Sequence, residues 1–252
     1  MNRRTFVAAT AATAAAVNLP PHPRARPIQP IKAVLFDAFP IFDPRPIAAL
    51  VNQLFPDQGP ALLSGWRTRQ FEYTWLRTSG DQYRDFWTTT RQALAAAAAS
   101  LQLSLSAEQE TRLMEAFLHL KAWPDVPATL DALKAAGIRT GFLSNFTVAM
   151  LEANIASSGL TARFDFLLST DRARRFKPAP EAYGLGLTAT GLPREQIAFA
   201  AFAGWDAVGA KWFGYPTVWV NRLQSPAEEL DATPDRSGSD LQALLAFIGA
   251  AG

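Results

Sequence analysis

The sequence predicts an α/β fold, a doubly wound parallel sheet of the Rossmann type with an inserted helical cap, and three observations carry that expectation. Five short runs of apolar, β-branched and aromatic residues recur at 33–36, 140–143, 164–168, 197–202 and 217–220, the pattern of strands buried on both faces of a parallel sheet. Segments with helical apolar spacing separate them, which gives the alternation of strand and helix that builds such a sheet. Between the first two runs, roughly a hundred residues keep helical spacing without any strand-like run, and a helical insertion accounts for them. The expected boundaries are an N-terminal signal and linker over 1–30, an α/β core over 31–48 and 124–252, and the cap over 49–123.

Taken in order, the first run reads Ile31-Lys-Ala-Val-Leu-Phe-Asp37, and a Pro-containing loop to Pro44 follows it. Ligands of open α/β sheets collect beyond the carboxyl ends of the strands, so Asp37 is expected to face the crevice. A strand-ending aspartate can also do no more than cap a turn. Within the insertion, the Ala-rich stretch 93–99 is a strong helix former, and Ser106-Ala-Glu-Gln109 starts another helix with a serine cap. Its aromatics, among them Trp66, Phe71, Trp75 and Phe86, read first as packing residues. Residues 129–136 form a helix that Gly137 stops, and Gly159 stops the helix after Ser144 in the same way. Lys177-Pro178 sits in the loop beyond the third run, and Asp206 follows the fourth, ahead of the small-residue string Ala207-Val-Gly-Ala210. Past Arg222 the chain turns polar and turn-rich (Ser225-Pro, Thr233-Pro-Asp, Ser237-Gly-Ser) before a last apolar helix over 241–248.

Composition narrows the function classes. With 252 residues, 49% apolar and 18% charged, the chain can bury one good core and a smaller second one. The net charge of +2 comes from the N-terminus, where residues 1–26 hold Arg3, Arg4, Arg24 and Arg26 and no acid. Without those four, 20 basic residues face 22 acidic ones, a balance of −2. No basic run with interleaved aromatics points to nucleic acid. The segment Asn2-Arg-Arg-Thr-Phe-Val7, followed by an Ala/Thr-rich stretch and Ala14-Ala-Ala16, resembles a twin-arginine export signal, which makes the periplasm the expected location and the cytoplasm the alternative. Nothing longer than that signal-type segment is apolar enough to span a bilayer, so no stable membrane anchor is expected. Cysteine is absent, which removes disulfides and thiolate chemistry alike.

Asp37, Ser144-Asn145, Lys177 and Asp206 each follow a strand-like run, and the topology therefore gathers them on one edge of the sheet. Ser144 and Asn145 are expected to open a helix, where hydroxyl, amide and backbone N–H donors converge on an anion. Lys177 offers an ammonium to keep Asp37 ionised, and Asp206 adds a second carboxylate.

These four features resemble the motifs of the haloacid dehalogenase superfamily, and more closely those of its type II 2-haloacid dehalogenases. The resemblance runs from Lys32 to about Asp235. Its specific part is a set of longer strings: Leu54-Phe-Pro56, Trp66-Arg67 with Gln70-Phe-Glu-Tyr-Thr-Trp-Leu-Arg77, Leu143-Ser-Asn145, Lys177-Pro with Tyr183, and Gly204-Trp-Asp206 followed by Phe213-Gly-Tyr-Pro-Thr-Val-Trp-Val-Asn-Arg222. A phosphatase of the superfamily needs an acid two residues after the nucleophile, and here that residue is Phe39.

The resemblance implies that Asp37 attacks C2 of a short 2-haloalkanoic acid and expels halide, after which water cleaves the aspartyl ester; neither metal nor cofactor is implied. It assigns the leaving halide to Arg67 and Asn145, the substrate carboxylate to Ser144 with backbone amides, the support of Asp37 to Lys177, the lining of the site to Tyr183 and Trp205, and the hydrolytic water to Asp206. The aromatic cap helices also suit a homodimer. Three departures stand against the family pattern. The nucleophile loop, Asp37-Ala-Phe-Pro-Ile-Phe-Asp43, is one residue shorter than Asp-x-Tyr-Gly-Thr-Leu-Phe-Asp and carries Pro40 where the family has glycine. Ala201 and Ala203 replace the family's serine and asparagine ahead of Asp206. A related hydrolase of another small carboxylate, and an anion-binding homologue without turnover, are the alternative readings.

Overall fold

The computed structural model describes residues 30–250; the signal-like segment lies outside the described residues. Six parallel strands stand in the order β3-β2-β1-β4-β5-β6. They are β1 (Ala33–Phe36), β2 (Arg139–Ser144), β3 (Phe166–Ser169), β4 (Ile197–Ala201), β5 (Thr217–Val220) and β6 (Arg236–Gly238). Five correspond to the apolar runs, each within two residues at its ends. The sixth was not expected, because Arg236–Gly238 is a largely exposed edge strand in the turn-rich stretch and shows no apolar run.

Alternation within the strands explains the doubly wound arrangement. Val34 and Phe36 on β1 and Ala198 and Ala200 on β4 join the larger core, while Ala33, Leu35, Ile197, Phe199 and Ala201 join a second core on the opposite face. Both faces are apolar, so helices must cover both. Close approach is built in at Gly141 on β2, where a Cβ would lie 2.6 Å from the Cβ of Phe166 on β3.

The insertion between β1 and β2 comprises α1 (Arg45–Leu54), α2 (Gly59–Ser79), α3 (Phe86–Ser100) and α4 (Ala107–Glu115). Trp66 from α2 is fully buried, and its indole donates to the Thr90 carbonyl on α3 at 2.9 Å. Ser106 caps α4 in a reciprocal capping box with Gln109, as its spacing predicts. Core helices follow as α5 (Val126–Ala135), α6 (Val148–Ser157), α7 (Pro180–Thr190), α8 (Gly204–Phe213) and α9 (Gln242–Ile248). Gly137 and Gly159 sit just past α5 and α6 at φ +69° and +68°, the left-handed conformation that their stop role requires.

The insertion is tied to the loop that carries Lys177. Tyr83 donates to Asp171, Arg175 donates to the Thr78 carbonyl, and the Phe176 amide donates to the Thr78 hydroxyl at 3.0 Å. The nucleophile loop is pinned from the core side. Trp123 donates to the Phe39 carbonyl at 3.0 Å, and Arg222 donates twice to the Pro40 carbonyl, at 3.1 and 2.7 Å, while pairing with Asp125. Pro40 lacks an N–H, but its carbonyl is a main anchor of the shortened loop.

Candidate active site

β1 lies between β2 and β4, the point of the sheet from which connections run to either side, and the crevice of such folds opens there. Asp37 follows β1 directly and is held in line by its amide, which donates to the Ala200 carbonyl at 3.0 Å. Ser144 ends β2, Lys177 precedes α7, and Asp206 lies in the first turn of α8. All four meet in space. Lys177 Nζ is 2.9 Å from Asp37 Oδ1 and 2.6 Å from Asp206 Oδ2, so one ammonium bridges two carboxylates. Ser144 Oγ donates to Asp37 Oδ1 at 3.2 Å, and the Phe39 amide approaches Asp37 Oδ2 at 3.4 Å.

Burial decides the electrostatics. Lys177 and Asp206 are each 1% exposed, whereas 15% of the Asp37 side chain remains accessible. Burial pushes Asp206 up, to about 6, with Asp37 adding to the rise and Lys177 opposing it. Burial pulls Lys177 down, but the two carboxylates outweigh it and hold its pKa above the ordinary lysine value. Tyr183 donates to Asp206 Oδ1 at 2.6 Å. Burial and the neighbouring carboxylate keep its phenol well above the ordinary range. Asp206 is thereby gripped on both oxygens.

Above Asp37 lies a cavity of about 150 Å³ between the strand ends and α1–α2. Asp37, Arg67, Ser144, Asn145, Trp205 and Asp206 face it. One expected lining residue, Tyr183, does not. Tyr183 is fully buried behind Asp206, because Gly209, one turn along α8, leaves room for its hydroxyl: a Cβ there would lie 2.6 Å away. Lys177 sits beneath the two carboxylates, with Nζ 5.0 Å from the Phe199 ring centroid.

Ser144 and Asn145 also differ from expectation in their local setting. They do not open a helix: Ser144 belongs to the strand, and Thr147 caps α6 by accepting from the Met150 amide at 3.1 Å. In this state the Ser144 hydroxyl is directed to Asp37. Asn145 Oδ1 accepts from the Lys177 amide at 3.1 Å and from Thr170 at 3.4 Å, which orients the side chain so that its NH₂ group remains available as a donor. Arg67 has no ion-pair partner among the described residues, which leaves its guanidinium free for the anion that the resemblance assigns to it. It is open to solvent, yet surrounding protein lowers its pKa by desolvation, the setting in which a bound anion is most favourable.

Sequence reasoning gave no role to Arg45, Gln70 or Arg222. Arg45 faces the cavity but is fork-bonded to Asp43 and lies over Trp123, and Gln70 donates to Thr90 at 2.7 Å. No pattern in the sequence marks Arg45. Arg222 ends the string over 213–222, and only the fold reveals that it grips the Pro40 carbonyl. Among the described residues, no three His, Cys, Asp or Glu side chains cluster as metal ligands.

Comparison with known proteins supplies the lineage. The model of the haloacid dehalogenase-like hydrolases matches residues 34–214. An (S)-2-haloacid dehalogenase of Pseudomonas sp. strain YL is 37% identical over 216 residues, covering 85% of this chain and 93% of that one. Haloacetate dehalogenase H-2 of Moraxella sp. strain B is 35% identical over 219 residues, 86% and 98% of the two chains. A solved L-2-haloacid dehalogenase superposes with a TM-score of 0.85 at 42% identity, over 88% of this chain and all of that one. The Xanthobacter autotrophicus L-2-haloacid dehalogenase with chloropropionic acid covalently bound gives 0.79 at 31% identity, again over 88% and 100%. The lysine-bridged carboxylate pair, the strand-end serine and asparagine and the whole-chain matches agree, and the chain belongs to the haloacid dehalogenase-like hydrolases, in the group of the 2-haloacid dehalogenases.

Proposed function

We propose that the protein hydrolyses 2-haloalkanoic acids, short ones among them, through an ester on Asp37, releasing halide and a 2-hydroxy acid. The observation that carries this is Asp37 itself: a partly accessible carboxylate, fixed by Lys177 at 2.9 Å and Ser144 at 3.2 Å, facing an apolar cavity that also holds an unpaired arginine. Asp37 Oδ2, met only by the long contact from the Phe39 amide, is the oxygen left for attack. It forms a bond to C2 as the halide departs with the C–halogen electron pair. Arg67 and the free NH₂ of Asn145 receive that charge, and Ser144 with neighbouring backbone amides receives the substrate carboxylate. Water, deprotonated or oriented by Asp206, then adds to the aspartyl carbonyl, and Tyr183 acts through Asp206 as its positioning residue. The homologue whose chloropropionic acid is covalently bound supports the ester route.

The helical insertion acts as a cap that closes the cavity and delivers Arg67. Export through a twin-arginine signal within residues 1–30, and a homodimer through the exposed Trp75 and Leu76 of α2, belong to the same reading; cell fractionation and sedimentation test them. Ala201 and Ala203 favour one variant of it, in which ester formation outpaces hydrolysis. Halide release from 2-chloropropionate and haloacetates, with intact mass recorded for wild type and Asp37→Asn, tests the function. Release that vanishes in the variant supports it. No release and no adduct of wild type would shift the assignment to another carboxylate or to anion binding alone.

A further inference from the structure

The cavity is larger and more apolar than a haloacetate or chloropropionate requires. At about 150 Å³ it has the size of an apolar cavity that takes up benzene. Its polar groups gather around Asp37, while Leu63, Trp66, Phe86, Phe117 and Phe146 form its apolar walls. Two departures from the family pattern extend the apolar surface close to the nucleophile: Phe39, where that pattern has tyrosine, and Ala203, where it has asparagine, both face the cavity. A substrate with a methyl group at C2 leaves most of such a space unfilled and forgoes the contacts its walls offer.

We propose that the site is built for 2-halo acids whose C2 carries a bulky apolar substituent, such as a butyl chain or a benzyl group; this rests on the dehalogenase reading above. The chemistry is unchanged. Asp37 bonds to C2 as halide leaves, and water adds to the ester carbonyl to return the Asp37 carboxylate, the 2-hydroxy acid and a proton. The substituent lies against the walls and contributes through burial, about 4-fold per methylene when fully enclosed.

The test is bromide release by the purified protein from 2-bromopropionate, 2-bromohexanoate and 2-bromo-3-phenylpropionate, whose reacting carbons are of similar intrinsic reactivity. The two larger acids are expected to exceed bromopropionate by roughly 10-fold or more in kcat/KM, carried mainly by KM. Ala48→Leu and Leu63→Phe, which narrow the cavity from α1 and α2, should move that ratio back toward bromopropionate by a similar factor. Turnover of bromopropionate with equal or weaker turnover of the larger acids overturns this proposal and leaves the dehalogenase reading standing. Bromide from none of the three overturns both.

Discussion

The buried Asp206 predicts a specific acid limb. Its carboxyl titrates near 6 because burial penalises the charged form, Asp37 repels a second negative charge, and Lys177 and Tyr183 recover only part of that cost. If Asp206 handles the hydrolytic water, ester breakdown follows its ionised fraction. Esterification removes the Asp37 charge, one of the causes of the raised pKa, so the decay of a preformed Asp37 ester, followed by quenching and intact mass between pH 4.5 and 9, should increase with pH through a midpoint below about 6 and then level off. In the free enzyme Lys177 is held above the ordinary lysine value by the two carboxylates and keeps its charge across that range. Stability carries the same titration with the opposite sense. In the unfolded chain Asp206 ionises near 3.8, so between there and about 6 the folded state binds more protons, and raising the pH favours unfolding. Relative to Asp206→Asn, the wild type should lose ~2 kcal/mol of stability from pH 4 to pH 7 in urea denaturation. A flat ester-decay profile between pH 4.5 and 8, or wild-type and variant stabilities that run parallel between pH 4 and 7, would refute the reasoning.

Three further outcomes follow from the same geometry. Lys177→Met leaves two carboxylates buried against each other; we expect ~3–5 kcal/mol of lost stability by denaturant titration and halide release below about 1% of wild type. Tyr183→Phe removes the 2.6 Å bond to Asp206, which should move the acid limb to higher pH and cost ~1–3 kcal/mol, whereas an unmoved limb would make Tyr183 a packing residue only. Ala203→Asn returns a polar group to the cavity wall near Asp206 and should speed ester decay several-fold or more while leaving the rate of ester formation within about 2-fold, a split that single-turnover mass measurements resolve.

The fold was legible where burial is two-sided. β1, β4 and β5, and β2 apart from Arg139, consist of residues sealed from both faces of the sheet, and their short length and β-branched or aromatic content mark such runs as buried strands. β6 was illegible because an exposed edge strand needs no apolar residues: Arg236 and Ser237 satisfy the ladder with their backbones alone. The candidate site was legible as a list, since strand ends fix the positions of Asp37, Ser144, Lys177 and Asp206 and the resemblance supplies Arg67. Orientation was not. That Tyr183 turns inward to Asp206 depends on the missing Cβ of Gly209 on another helix, and that Ser144 closes a strand rather than opening a helix depends on Thr147 taking the cap. Such facts belong to pairs of residues far apart in the chain, which spacing within one segment does not encode. The apolar character of the cavity is legible only in hindsight for the same reason: Phe39, Trp66, Phe86 and Phe146 come from four separate segments.

The central claim is that Asp37, and not water, attacks the substrate. A single turnover of 2-bromopropionate in H₂¹⁸O, with protein in excess, tests it most directly through the masses of the product and of the peptide containing Asp37. The account predicts an unlabelled 2-hydroxy acid, whose oxygen came from the Asp37 carboxylate, together with one ¹⁸O on Asp37. A labelled product over an unlabelled Asp37 would mean that water attacks C2 itself, and would contradict it.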